Sequence, residues 1–151
     1  MMLPRLVLLS TSLLTFFLLG ACHRQAVSAA AITPPRVLQF GTGGGFVGTS
    51  TRYLLYATGR LERQQGAPGD STVPAVVLTS LAPAAVARYF RAFDALPTDS
   101  LTLQQPGNMY YFLAGRTATG RPVALTWGAN GARISRAAQN LFDELMKLPV
   151  N

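Results

Sequence analysis

One cysteine, one histidine and six acidic residues are all that the 151-residue chain holds of those types, and each scarcity closes off a chemistry. The histidine, His23, and the cysteine, Cys22, are neighbours near the N-terminus. Whatever folds downstream has neither. A Ser-His-Asp triad or a Cys-His pair is therefore excluded from that part, as is zinc held by His or Cys. A single cysteine makes no internal disulfide, so the domain depends on its apolar core. The carboxylates do not cluster as calcium requires. Asp94 and Asp99 straddle the end of a predicted helix, where capping explains them, and Asp143 and Glu144 sit mid-helix on a solvated face. No catalytic residue, metal or cofactor is expected, and the chain does not read as an enzyme.

Long apolar runs are also scarce. One follows Arg5, from Leu6 to Leu19, interrupted only by small hydroxyl residues and closed by Gly20 and Ala21. It is shorter than the roughly 20 residues that span a bilayer. A basic start, a short apolar stretch and small residues before a cut make a secretory signal peptide over residues 1–21. The residues Leu19-Gly20-Ala21-Cys22 resemble a bacterial lipobox. That resemblance implies cleavage before Cys22, acylation of its thiol and new amino terminus, and anchoring in the cell envelope. Two or three acyl chains hold firmly where one would be marginal. His23 stands where an aspartate would imply inner-membrane retention, so the resemblance implies the outer membrane, facing the periplasm. Loss of Arg5 with the signal leaves 12 basic against 6 acidic groups, a formal charge of +6 in place of +7.

Residues 22–35, from Cys22 through HRQAVSAAAITPP, lack apolar periodicity and read as a flexible tether. Residues 36–151 read as a single domain. RVLQF and TRYLLYAT are strand-like; RLERQQ continues the second or extends it after Gly59. QGAPGDST is a loop, and VPAVVLTS suits an edge strand, where Pro74 is tolerated. The spacing of Val86, Tyr89, Phe90, Phe93 and Leu96 predicts a helix over 83–96, with Pro83 in its first turn and Ser80 as a candidate cap. TDSLTLQQPGN reads as a loop, NMYYFLAG and RPVALTW as a hairpin. Val123, Leu125 and Trp127 mark a core face. Ile134, Ala138, Leu141, Leu145 and Leu148 predict a last helix over about 133–148. The expected architecture is α+β: an antiparallel sheet of four to five strands with both helices on one face, in the order β-β-(β)-α-β-β-α.

FGTGGGFVGTS, residues 40–50, contains G-x-G-x-x-G at Gly43, Gly45 and Gly48. A dinucleotide site needs such glycines to open a helix and needs an acidic residue about 20 positions on. These glycines run instead into a strand-like segment, Glu62 comes too early, and no G-K-[ST] or kinase motif follows. The loop reads as a turn between strands, Phe46 either anchoring it on the core or standing out toward a partner. GGGFVG is similar to the S-G-G-F-x-G turn near the start of emfourin-type domains, a small bacterial family that includes inhibitors of thermolysin-like metalloproteases. Strand, helix ending Phe93-x-x-Leu96-Pro97, hairpin and final helix follow in a like order. The resemblance implies a protease-binding module. The lipobox, the longer segment 60–80 and the Trp127-Gly128 turn depart from it.

The basic surplus is nearly all arginine: Arg88 with Arg91, Arg133 with Arg136, and Arg116 with Arg121 fall in pairs. Arginine grips phosphate, but an exported chain rarely meets nucleic acid, so no nucleic-acid partner is expected. A solvated face, anionic headgroups or an acidic partner are the readings left. Tyr53, Tyr56, Tyr110, Tyr111 and Phe112 put rings on both faces of their strands, and exposed aromatic patches tend to mark binding surfaces. The expected function is a lipid-anchored, non-catalytic binding module whose partner is a protein such as an exported protease, with Gly43, Gly44, Gly45, Phe46, Gly48, Tyr53 and Tyr110 as the candidate contacts. The alternative is a structural or assembly accessory of the envelope.

Overall fold

Thr49–Tyr56 (β2) folds back on Val37–Gly44 (β1) in unbroken antiparallel register, from Val37 opposite Tyr56 to Gly44 opposite Thr49. A computed structural model describes residues 35–46, 48–70, 72–97, 99, 101–128 and 134–148. The expected signal peptide, Cys22, the tether up to residue 34, and Arg133 lie outside the described residues. The chain continues through Arg60–Gly66 (β3), Val76–Ser80 (β4), the helix Pro83–Asp94 (α1), Thr102–Gln105 (β5), Met109–Arg116 (β6), Pro122–Gly128 (β7) and the helix Arg136–Met146 (α2).

The class is α+β, with one sheet of seven strands ordered β4-β3-β2-β1-β6-β7-β5 and two helices. The strand count and the all-antiparallel expectation are corrected. RLERQQ is a full strand, β3: the chain reverses tightly at Ala57–Gly59, where the Gly59 N–H donates to the Tyr56 carbonyl at 2.9 Å. LTLQQ, expected to be loop, supplies β5, which lies parallel to β7 and makes the sheet mixed. β5 has four residues, only Leu103 half-buried, so its pairing with the β7 edge rather than any period of its own makes it a strand. The edge strand expected in VPAVVLTS is present as β4.

Both helices cover one face. Phe93 of α1 and Leu38 of β1 both lie over Gly115, and Phe142 of α2 packs edge-on to Trp127 and Tyr111 at 5.0 and 5.5 Å between centroids. The core between the layers includes Leu38, Phe40, Leu55, Leu61, Leu113, Val123, Leu125 and Trp127 from the sheet. Val86, Tyr89, Phe90 and Phe93 enter it from α1, and Ala138, Leu141, Phe142 and Leu145 from α2. The helical periods named these residues apart from Phe142.

The helix ends differ from expectation by local chemistry. α1 begins at Pro83 after Ala82, which makes no side-chain cap; Ser80 is instead the last residue of β4. It ends at Asp94, before Leu96. α2 starts at Arg136, because Ser135 takes the extended cap conformation and its hydroxyl accepts the Ala138 N–H at 3.2 Å, satisfying one of the orphan donors of the first turn. At the far end of α1, Asp94 accepts from the Arg36 guanidinium at 2.6 and 3.3 Å and from the Ala118 N–H at 2.8 Å. It ties the helix to the start of β1 and to the β6–β7 turn.

Candidate functional site

The glycine-rich segment is the tip of the β1–β2 hairpin. The strands part after Gly44 and Thr49, and the Gly48 N–H closes the turn on the Gly45 carbonyl at 3.1 Å. Gly45 and Gly48 have φ of 78° and 63°, a left-handed geometry that glycine takes without steric cost. The Gly45 N–H also donates to the Asn108 carbonyl at 2.7 Å, so the tip is bolted to the residue preceding β6. The glycines thus join strand to strand and do not open a helix.

Phe46 at this tip has a relative exposure of 106%, and Met109, whose sulfur lies beside Gly45, is 50% exposed. Of the two roles open to Phe46 from the sequence, that of a core anchor is ruled out: it buries nothing. The turn's hydrogen bonds are made by Gly45 and Gly48, while the Phe46 ring meets only solvent.

Of the candidate contacts, Gly43, Gly44, Gly45, Phe46, Gly48 and Tyr110 come together at this end of the sheet, Tyr110 directly opposite Gly43. Tyr53 does not join them. It pairs with Phe40, stacks on that ring at 5.4 Å, and packs against the core on the helix side.

The opposite face of the sheet, away from the helices, carries a shallow depression of about 270 Å³. Pairing aligns Gln39, Gly41 and Gly43 of β1 with Ala114, Phe112 and Tyr110 of β6. The two rings lean across the strand: a Cβ on Gly43 would collide with the Tyr110 ring, and one on Gly41 would touch the Phe112 Cζ at 3.0 Å. Aromatic rings laid over strand glycines fill space that any side chain would occupy. Arg52, Ser50 and Thr126 border them, as do Gln104 from β5 and Pro68 and Gly69 from the β3–β4 loop. Sequence reasoning pointed to Tyr110 here and missed Arg52, Gln39 and Gln104. The strand alternation of β1 and β2 carried a signal for Arg52 and Gln39, but β5 was not visible as a strand.

Further along the same face, Glu62 is buried, with 7% exposure. Its carboxylate accepts from the Tyr56 hydroxyl at 2.9 Å and forms an ion pair with the Arg60 Nε at 3.1 Å, and the Arg60 guanidinium lies 4.4 Å over the Tyr56 ring. Burial first, then the hydrogen bond to Glu62, raises the Tyr56 phenol above its ordinary pKa. Both carboxylate oxygens are taken by neighbours, so this trio is a satisfied structural network. Among the described residues no three His, Cys, Asp or Glu side chains gather as a metal site would require.

No protein-family model matches the chain, and a search of curated proteins finds none similar to it.

Proposed function

We propose that the protein is a lipid-anchored component of the bacterial cell envelope, held through Cys22 in the outer membrane and facing the periplasm. There it acts as a non-catalytic module that binds a protein partner, an exported protease, through the β1–β2 hairpin tip. The observation that carries this reading is the wholly exposed ring of Phe46 on a turn closed by the hydrogen bonds of Gly45 and Gly48. An aromatic presented on a hydrogen-bonded turn has less backbone to order on binding, and aromatic residues supply much of the energy at interfaces. Met109 widens the apolar contact. The likeness of GGGFVG to the emfourin-type turn supports a protease as the partner, and the lipobox supports the anchor.

Photocrosslinking from position 46 of the anchored protein in its native envelope, followed by inhibition assays on the protease captured, tests the proposal. Saturable inhibition by the wild type, reduced at least tenfold in Phe46→Ala with melting unchanged, is the expected result. Phe46 buries no area, so its truncation should cost stability under about 0.5 kcal/mol, where a buried phenylalanine would cost roughly 3–5 kcal/mol. Crosslinking into a large envelope complex, with no protease inhibited, would overturn it in favour of an assembly accessory. Cys22→Ser should release the protein from membranes or hold it as a precursor; wild-type fractionation of that variant would remove the anchor.

A further inference from the structure

We propose that the depression on the open sheet face is a second binding site, separate from the hairpin tip, and that its ligand is a single sugar ring bearing a carboxylate, an acidic hexose. The proposal stands on how the face is built. Gly41 and Gly43 let the Phe112 and Tyr110 rings lie over β1, their centroids 6.5 Å apart. A pyranose has an apolar C–H face and an equator of hydroxyls, and it matches this surface part by part. Its face rests on the two rings. Its hydroxyls meet the amides of Gln39 and Gln104 and the hydroxyls of Ser50 and Thr126, all bordering the depression.

Two of these polar groups are already oriented. The Gln104 amide donates to the Ala124 carbonyl at 3.3 Å, which leaves its oxygen free to accept. The Ser50 hydroxyl donates to the Gly66 carbonyl at 3.3 Å, which leaves its lone pairs free. A flat aromatic acid would leave this polar rim unmatched, and unpaired polar groups cost affinity.

Charge selects the acid. Arg52 stands half-buried at the rim. Among the described residues it has no carboxylate within ion-pairing distance, whereas Arg36, Arg60 and Lys147 each have one. Of the acidic side chains nearby, Glu62 is held by Arg60 and Tyr56, and Asp70, next to Gly69 at the rim, accepts from the Thr72 N–H and hydroxyl at 2.8 and 2.6 Å. One guanidinium fork matches one carboxylate in bidentate geometry. The size sets the limit: about 270 Å³ is just below the roughly 300–1,000 Å³ of ordinary ligand sites. A depression of this size suits a single ring.

The test is a ligand titration of the full chain followed by NMR, with glucuronate, glucose, benzoate and glucose 6-phosphate as probes. Glucuronate should bind saturably in the millimolar range, at least tenfold tighter than each of the others. Arg52→Gln should bring glucuronate down to the level of glucose, Arg52→Lys should restore part of the difference, and Phe112→Ala should weaken both sugars together. Unchanged amide spectra outside the face show that the variants are folded. Absence of saturation by glucuronate overturns the site. Tighter binding of benzoate overturns the sugar, tighter binding of glucose 6-phosphate overturns the carboxylate, and an indifferent Arg52→Gln overturns the assignment of the anion to Arg52.

Discussion

Gly41 and Gly43 sit two residues apart on β1 and face the same way, yet an added methyl group should have opposite consequences at the two positions. At Gly43 it would meet the far end of the Tyr110 side chain, with the ring Cε2 at 2.9 Å and the Cζ and hydroxyl closer still. Tyr110 is half-buried and can swing outward. The overpacking cost should fall near the low end of the usual ~1–3 kcal/mol. Against it stands a gain of about 0.4–1 kcal/mol from the stiffer unfolded chain. Gly43→Ala should therefore change stability by no more than about 1 kcal/mol. At Gly41 the obstacle is the Thr51 backbone carbonyl, with the Phe112 ring at 3.0 Å behind it. A backbone group locked in the β1–β2 ladder cannot move without breaking pairing, so Gly41→Ala should lose about 2–3 kcal/mol after the same offset. At roughly 3–5 °C per kcal/mol for a domain of this size, that is a fall in Tm of about 10 °C against less than about 5 °C. Trp127, the single tryptophan, is 3% exposed and ringed by Tyr111 and Phe142. Its fluorescence reports loss of the core during urea or thermal unfolding. Equal destabilisation by the two alanines, or a neutral Gly41→Ala, would refute the steric argument. Gly43→Ala should in addition weaken glucuronate binding while the protein stays folded, because the Tyr110 ring is displaced from the platform.

Two further outcomes follow from the side-chain network. Asp94→Ala removes the acceptor of two guanidinium bonds and of the Ala118 N–H. Charge-assisted bonds are worth about 1.5–3 kcal/mol when dry, but the side chains here are 32% and 28% exposed. A loss of about 1.5 kcal/mol is expected, with about 1 kcal/mol of coupling to Arg36→Ala in a double-mutant cycle, shrinking as salt is added. Tyr56 supplies a pH dependence. Its folded pKa is raised above 10.0 by burial and by Glu62, so the fold favours the neutral phenol. The stability it contributes is whole below pH 10.0 and is lost as pH rises from there through the folded value. Urea midpoints of wild type and Tyr56→Phe should therefore run parallel up to about pH 10 and converge above it; a constant difference across that window would exclude the linkage.

How much of this was legible in the sequence depended on whether the deciding contact was local. The apolar stripes of α1 and α2 repeat with the helical period, so Val86, Tyr89, Phe90, Phe93, Ala138, Leu141 and Leu145 could be assigned to the core from spacing alone. Caps are local as well, and Ser135 three residues before Ala138 was a readable start that the expected span overran. β5 had no such signal. Thr102–Gln105 is mostly exposed, and only the β7 edge, reached later in the chain, makes it a strand. β3 was obscured because Arg60, Glu62, Arg63 and Gln64 look like a solvated extension. Glu62 is buried and paired with Tyr56 and Arg60, pairings that its own segment does not announce.

The aromatic strands show why a site is harder to read than a core. Tyr53 and Tyr110 looked equivalent as rings on amphipathic strands next to a glycine-rich turn. Alternation fixes which residues share a face of one strand but not which face the helices will take. That choice is made by the helix stripes and by register: Tyr53 falls opposite Phe40 and turns inward, while Tyr110 falls opposite Gly43 and stays outside. The glycines carry the missing information in paired form. A strand glycine weakens its own strand, so Gly41 and Gly43 make physical sense only once their cross-strand partners are known to be Phe112 and Tyr110, whose rings use the space. The same run of glycines therefore holds two separate requirements. Gly45 and Gly48 supply the left-handed turn that lifts Phe46 into solvent, and Gly41 and Gly43 supply the floor on which two rings lie. A variant that spares one requirement and breaks the other should separate partner binding from ligand binding, which is the division of labour the two faces of this hairpin imply.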